Sequence, residues 1–174
     1  PKRIPIKKFP KYSYEEVEID SQIMDIECNV VIDINGHEST VRMSRMSIFF
    51  ITDVASNCIL SYHLCLTKDP TQYDLLCLLA KIHYKWEARD LTTPGFSYEP
   101  GACLPSAISE EFRRVGIGMI KLDNALCHHA NSIREFICDG LISTINFGLP
   151  ANPKSRNSVE YMFNLLNKYI HRFK

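Results

Sequence analysis

Three carboxylates stand where a carboxylate needs a reason. Asp20 sits inside Val17-Glu18-Ile19-Asp20-Ser21-Gln22-Ile23, an apolar-rich strand pattern. Asp123 closes the run Ile120-Lys121-Leu122, and Glu160 opens a helix pattern after Lys154-Ser155-Arg156-Asn157-Ser158-Val159. A buried charge must be paired, protonated or metal-bound. The rival acid Asp25 has the opposite parity along the strand and points to the other face. Hard divalent cations take oxygen ligands, and Mg²⁺ accepts one or two carboxylates while keeping water and phosphate oxygens. Two ions about 3.5–4 Å apart can hold the attacking and leaving oxygens of a phosphoryl displacement. Three converging acids suffice for that chemistry.

Each acid also has an ordinary reading. Asp123-Asn124 forms turns, and a glutamate in the first helical turns complements the helix dipole. Cys127, His128 and His129 are adjacent and have no second Cys/His cluster at ligand spacing, which argues against zinc and against a cysteine nucleophile. Lys154, Arg156, Asn157 and Lys168 flank Glu160 and are candidate DNA-backbone contacts, or else a solvated helix face. Tyr84 and Trp86 read as packing residues.

The elements that must carry these residues follow from periodicity. Val17 to Glu27 and Val30 to Ile34 read as strands, and Asn35-Gly36 is a two-residue hairpin turn leading back through His37 to Arg42. Ser47 to Thr52 and Cys58 to Leu66 read as two further paired strands. Asp69, Pro70 and Gln72 predict a helix start, continuing to about Lys85 or Trp86. Residues 89–104 are loop, rich in proline and glycine, and of a length that often borders a site. Ser106 or Ser109 caps a short helix, and a strand follows over Ile117 to Leu122. A helix over Ala130 to Asp139 and a strand over Leu141 to Phe147 come next. The closing helix presents Val159, Met162, Phe163, Leu166, Tyr169 and Ile170 as its apolar stripe, with Glu160, Asn164, Asn167 and Lys168 on the polar side. Hairpin-connected strands followed by strand–helix alternation argue for a mixed α/β sheet with helices on its faces.

The bulk composition permits this. One domain of 174 residues with 45% hydrophobic content can bury a full core. Lys+Arg and Asp+Glu balance at 20 each, so any attraction for nucleic acid is local. Residues 1–16 read as a basic extended arm or linker, with Lys2, Arg3, Lys7, Lys8 and Lys11 interrupted by prolines, and 17–174 as the folded core. The seven scattered cysteines without a CxxC pair fit a reduced intracellular protein. No run approaches the ~18–20 apolar residues of a membrane span. The termini read as the edges of a domain excised from a longer protein.

The three acid-bearing segments resemble the DDE core of the retroviral-integrase superfamily, in which the last two acids stand about thirty-five residues apart; here thirty-six residues separate Asp123 from Glu160. Glu18 to Ile26, Phe49 to Asn57, Leu122-Asp123-Asn124-Ala125 and Pro153 to Glu160 are most similar to TnsB-like bacterial transposases, relatives of phage Mu transposase. Asn157 replaces a glycine common in relatives, and Ala125 to His129 departs from their usual glycine and aromatic.

The resemblance implies an α/β RNase H-like fold: a five-stranded mixed sheet flanked by helices on both faces, its first three strands antiparallel and its first and fourth side by side. It implies Asp20, Asp123 and Glu160 as catalytic metal ligands for Mg²⁺ or Mn²⁺, two ions per site. The implied activity is phosphodiester cleavage at transposon ends and transfer of the 3′-hydroxyl into target DNA. Expected partners are both DNAs and other transposition subunits, in an oligomer assembled on DNA in a bacterial cytoplasm. The alternatives are an RNase H-like nuclease, and a DNA-binding or scaffolding module without turnover.

Overall fold

The computed structural model describes residues 9–67, 69–92, 94–122, 131–147 and 157–170, with side chains of the last helix described over 161–168. Among the described residues seven strands form: β1 (Glu16–Met24), β2 (Cys28–Ile34), β3 (His37–Met43), β4 (Met46–Asp53), β5 (Ile59–Cys65), β6 (Met119–Lys121) and β7 (Thr144–Asn146). The helices are α1 (Gln72–Lys81), α2 (Pro105–Ile108), α3 (Glu110–Arg114), α4 (Asn131–Glu135) and α5 (Asn157–Ile170). Five strands make one sheet in the order β5-β4-β1-β6-β7. β1 pairs antiparallel with β4 and β4 with β5, whereas β1–β6 and β6–β7 are parallel.

Within this sheet, then, the first three strands in chain order are antiparallel and the first and fourth are neighbours. β4 is the most deeply buried strand, with every residue from Ser47 to Asp53 inside, as a near-continuous apolar run covered on both faces must be. On one face Val17, Ile19, Phe49, Ile51, Ile120 and Leu122 pack beneath α1 and α4, which add Leu75, Leu78, Leu79 and Ile133. The other face is covered by α5, whose Phe163 joins Met24, Ile48 and Phe50. Ile23, in the apolar-rich run of β1, is 57% exposed next to the end of the strand.

The Asn35-Gly36 turn is present, with φ of 56° and 83°, the two positive values that this turn requires. Its strands, however, form a separate two-stranded sheet inserted between β1 and β4. Helix α1 starts later than the Asp69-Pro70 pattern predicts: Thr71 is its N-cap, and Asp74 completes a reciprocal capping box. It ends at Lys81 instead of reaching Trp86, since Ile82, His83 and Tyr84 turn back to carbonyls three residues earlier. Ser109 caps α3 through the Glu111 amide, while Ser106 is buried in α2 and accepts from the Trp86 amide. The predicted helix before Gly140 is α4 running into a π turn over Phe136–Gly140.

Among the described residues no helix is long and apolar enough to cross a membrane. No disulfide joins the described cysteines.

Candidate active site

Alternation along β1 puts Glu16, Glu18, Asp20 and Gln22 on the face that α5 covers. This face divides into two halves. Toward the end of β1, Gln22 and Met24 lie opposite Ile48 and Met46, and the surface is mostly apolar. Toward its start, Glu18 lies opposite Thr52 of β4 and Lys121 of β6. Asp20 stands at the boundary, paired with Phe50.

Lys121 governs the charge of the polar half. Its ammonium forms a salt bridge with Glu16 Oε1 and lies 3.7 Å from Glu18 Oε1. Glu18 is only 1% exposed, so that proximity is required: an ionised carboxylate at such depth needs a cation. Asp20, two residues further along the same face, is half-buried, and its Oδ1 accepts a hydrogen bond from the Ser21 amide at 2.8 Å.

Helix α5 is fastened over this row at two points. Phe163 packs on Phe50, the register partner of Asp20, with ring centroids 5.5 Å apart. Gln22 Nε2 donates to Asn167 Oδ1 at 2.9 Å. Asn167, assigned to the polar side of the helix from sequence, is therefore turned toward the sheet, where a polar strand residue receives it. Position 160 lies in the first turn of α5, three residues before Phe163 and seven before Asn167.

The other predicted residues fall as follows. Asp123 follows Leu122 and lies outside the described residues, as do Lys154 and Arg156, and as do the Cys127, His128 and His129 cluster and the side chains of Asn157 and Glu160. Lys168 is exposed in the last turn of α5. Asp25 lies beyond the end of β1, exposed and bonded to Arg45 at 2.9 Å, so it is no rival to Asp20. Glu16, Glu18 and Lys121 were missed as a unit. The signal was available in the shared parity of the three β1 acids, but their neutralising lysine comes from a distant strand.

Two further buried acids have structural explanations. Asp53 accepts from the Tyr14 amide at 2.7 Å and from both the amide and hydroxyl of Ser56, closing the turn after β4. Asp74, on the opposite face of the sheet, meets His63 Nε2 at 3.1 Å, and Lys81 Nζ lies 3.0 Å from His63 Nδ1. With Cys65 these residues bring possible metal-ligand atoms within 4.8 Å of one another. Both Asp74 oxygens are already engaged, one by His63 and the other by Thr71, and a lysine ammonium adjoins the group. The cluster ties α1 to β5.

No protein-family model matches the chain, and no curated protein matches it in sequence. Solved structures do match. The Mos1 transposase paired-end complex with the left transposon end aligns over 90% of this chain and 42% of its own, with TM-score 0.54 and 11% identity. The Mos1 mariner paired-end complex with Mn aligns over the same shares, with TM-score 0.52 and 12% identity. An intasome of simian T-cell lymphotropic virus in complex with the PP2A regulatory subunit B56 gamma aligns over 98% of this chain and 47% of its own, with TM-score 0.50 and 12% identity. The chain thus spans less than half the length of these proteins. At such identities the likeness is one of fold, and it agrees with the strand order: the chain has the RNase H-like architecture.

Proposed function

We propose that this chain is the catalytic core of a DDE polynucleotidyl transferase, closest to TnsB-like transposases, which cuts DNA at transposon ends and joins the 3′-hydroxyl to target DNA. One observation carries the reading. Asp20 occupies the middle strand of the sheet, beside a parallel neighbour, on the face that α5 covers. Glu18 pairs with Lys121, the last residue of β6, so Asp20 stands near the carboxyl end of that parallel strand. Ligand sites in α/β sheets gather at such carboxyl ends.

The donor set fits a hard divalent cation, being all carboxylate oxygen, and the lysine in reach is committed to Glu16 and Glu18. Asp20, Asp123 and Glu160 would hold Mg²⁺ or Mn²⁺, one or two ions. When bound, such ions lower the pKa of a coordinated water or hydroxyl and polarise the phosphodiester. The chain's own residues do the positioning. Asp20 is held by the strand ladder and its bond to the Ser21 amide, Lys121 cancels the charge of the acids beneath it, and Phe163 and Asn167 pin the helix bearing Glu160. Lys154, Arg156, Asn157 and Lys168 would contact DNA backbone near that helix. Lys2, Arg3, Lys7 and Lys8 would serve as a basic arm, whereas Tyr14 and Glu16, counted with that arm from sequence, belong to the core; end recognition and partner subunits would be supplied outside the core.

Two measurements test the reading. Mg²⁺ or Mn²⁺ is expected to raise the melting temperature of the wild-type chain and not of Asp20→Asn. In the full-length protein, Asp20→Asn, Asp123→Asn and Glu160→Gln are each expected to lower cleavage and strand transfer roughly a hundredfold or more, as loss of a metal ligand removes several kcal/mol of transition-state stabilisation. Wild-type rates in Asp20→Asn would refute the assignment, and cleavage without joining of a pre-cut 3′ end would make the protein a nuclease.

A further inference from the structure

The outer edge of β5 borders a cleft of about 750 Å³ between the base of the β2–β3 hairpin and the segment following α1. Its lining combines three cations, Lys81, Lys85 and Arg89, with three aromatic rings, Tyr62, Tyr84 and Trp86. Glu87 is the one acid in that lining. It lies 3.5 Å from Lys85, with both side chains more than half exposed, so it cancels little of the cleft's positive field. Arg89 makes no ion pair among the described residues. In a chain of zero formal net charge this is a local cationic excess.

The rings are disposed for contact. Tyr84 is 70% exposed. Trp86 is half-buried and held edge-on against Tyr98 at 5.9 Å, with its backbone amide bonded to Ser106, so its position is set by protein packing. Lys81 is steadied by His63 Nδ1 at 3.0 Å. Burial lowers the pKa of its ammonium, and the positive charge of Arg89 lowers it further, as expected where two cations share a cleft.

We propose that this cleft binds a single-stranded segment of the DNA that the core acts on. Cations that follow a phosphate backbone, interleaved with rings on which bases stack, make a surface for unpaired strands, because a duplex hides its base faces. Placement agrees. β5 is two strands from β1, about 10 Å at normal strand spacing. A strand whose phosphodiester lies at Asp20 therefore reaches the cleft within a few nucleotides. This inference rests on the functional reading above, yet its test separates the two.

Trp86 is the only tryptophan in the chain, so its fluorescence reports on the cleft directly. Titration with oligo(dT) in EDTA is expected to quench it, with affinity that falls as salt rises. The exposed charge reversals Lys85→Glu and Arg89→Glu together should weaken binding at least ~tenfold, and Tyr84→Ala at least ~fivefold. Asp20→Asn should quench like wild type. Absence of quenching, equal binding by the charge-reversed protein, or equal binding of duplex DNA would each overturn the proposal. Absence of metal-dependent cleavage by a wild-type protein that still quenches would instead count against the functional reading alone.

Discussion

Asp20 and Glu18 are two residues apart on one strand and one face, yet their surroundings give them different roles. Glu18 is almost wholly buried and faces Lys121, whereas Asp20 is half-buried at the boundary between the polar and apolar halves of that face. Truncating Lys121 would remove the cation beside the buried Glu18 carboxylate. Lys121→Met is therefore expected to destabilise the fold by about 3–5 kcal/mol, and the double variant Glu18→Leu/Lys121→Met by much less. A urea-denaturation mutant cycle measures this coupling, and simple additivity would show that the two groups do not interact. Asp20 was legible in the sequence because an acid in an apolar strand stands out. Lys121 was not, since a lysine near the end of a strand looks like any solvated side chain until its parallel neighbour is known.

At the level of the element, local chemistry set the kind of structure and longer-range contacts set its limits. The Asp69-Pro70 pattern predicts the right helix but the wrong cap. Thr71 and Asp74 take that role because Asp74 also reaches His63 on β5, a partner invisible in local sequence. Burial opposes ionisation of Asp74, but hydrogen bonds from Thr71 and His63 outweigh it and hold the carboxyl below its ordinary value. A folded-state pKa below the unfolded one contributes stability that is complete above the unfolded value and lost as pH falls through the folded one. Asp74→Asn should thus cost about 1–2 kcal/mol near neutrality. The gap to wild type should close as pH drops below about 4, and denaturant midpoints at pH 7 and pH 3 would check this. A gap unchanged at pH 3 would mean that the carboxylate charge contributes nothing. Helix α5 gives the same lesson from its other side. Its apolar period is plain in the sequence, but only the bond from Gln22 shows that Asn167 belongs to the inward stripe.

For the molecule as a whole, the unexpected feature is the β2–β3 hairpin, which stands apart from the sheet with Val31, Ile34 and Val41 exposed by 60%, 61% and 45%. A two-stranded ribbon contributes little stability of its own. Replacing residues 27–44 with Asn-Gly is expected to leave the five-stranded sheet folded, with a melting temperature within a few degrees of wild type, about 1 kcal/mol or less. Failure of that variant to fold by circular dichroism would show that the hairpin completes the core. The sequence by itself determined the strand and helix types, the hairpin turn and the α/β class and singled out the three acids as candidates, because periodicity, turn chemistry and misplaced charge are local signals. Tertiary structure alone decided that the hairpin leaves the sheet and that Lys121 neutralises Glu18. Each of these depends on which strands pair, and pairing is settled by the burial of whole faces, a property no local stretch of residues contains.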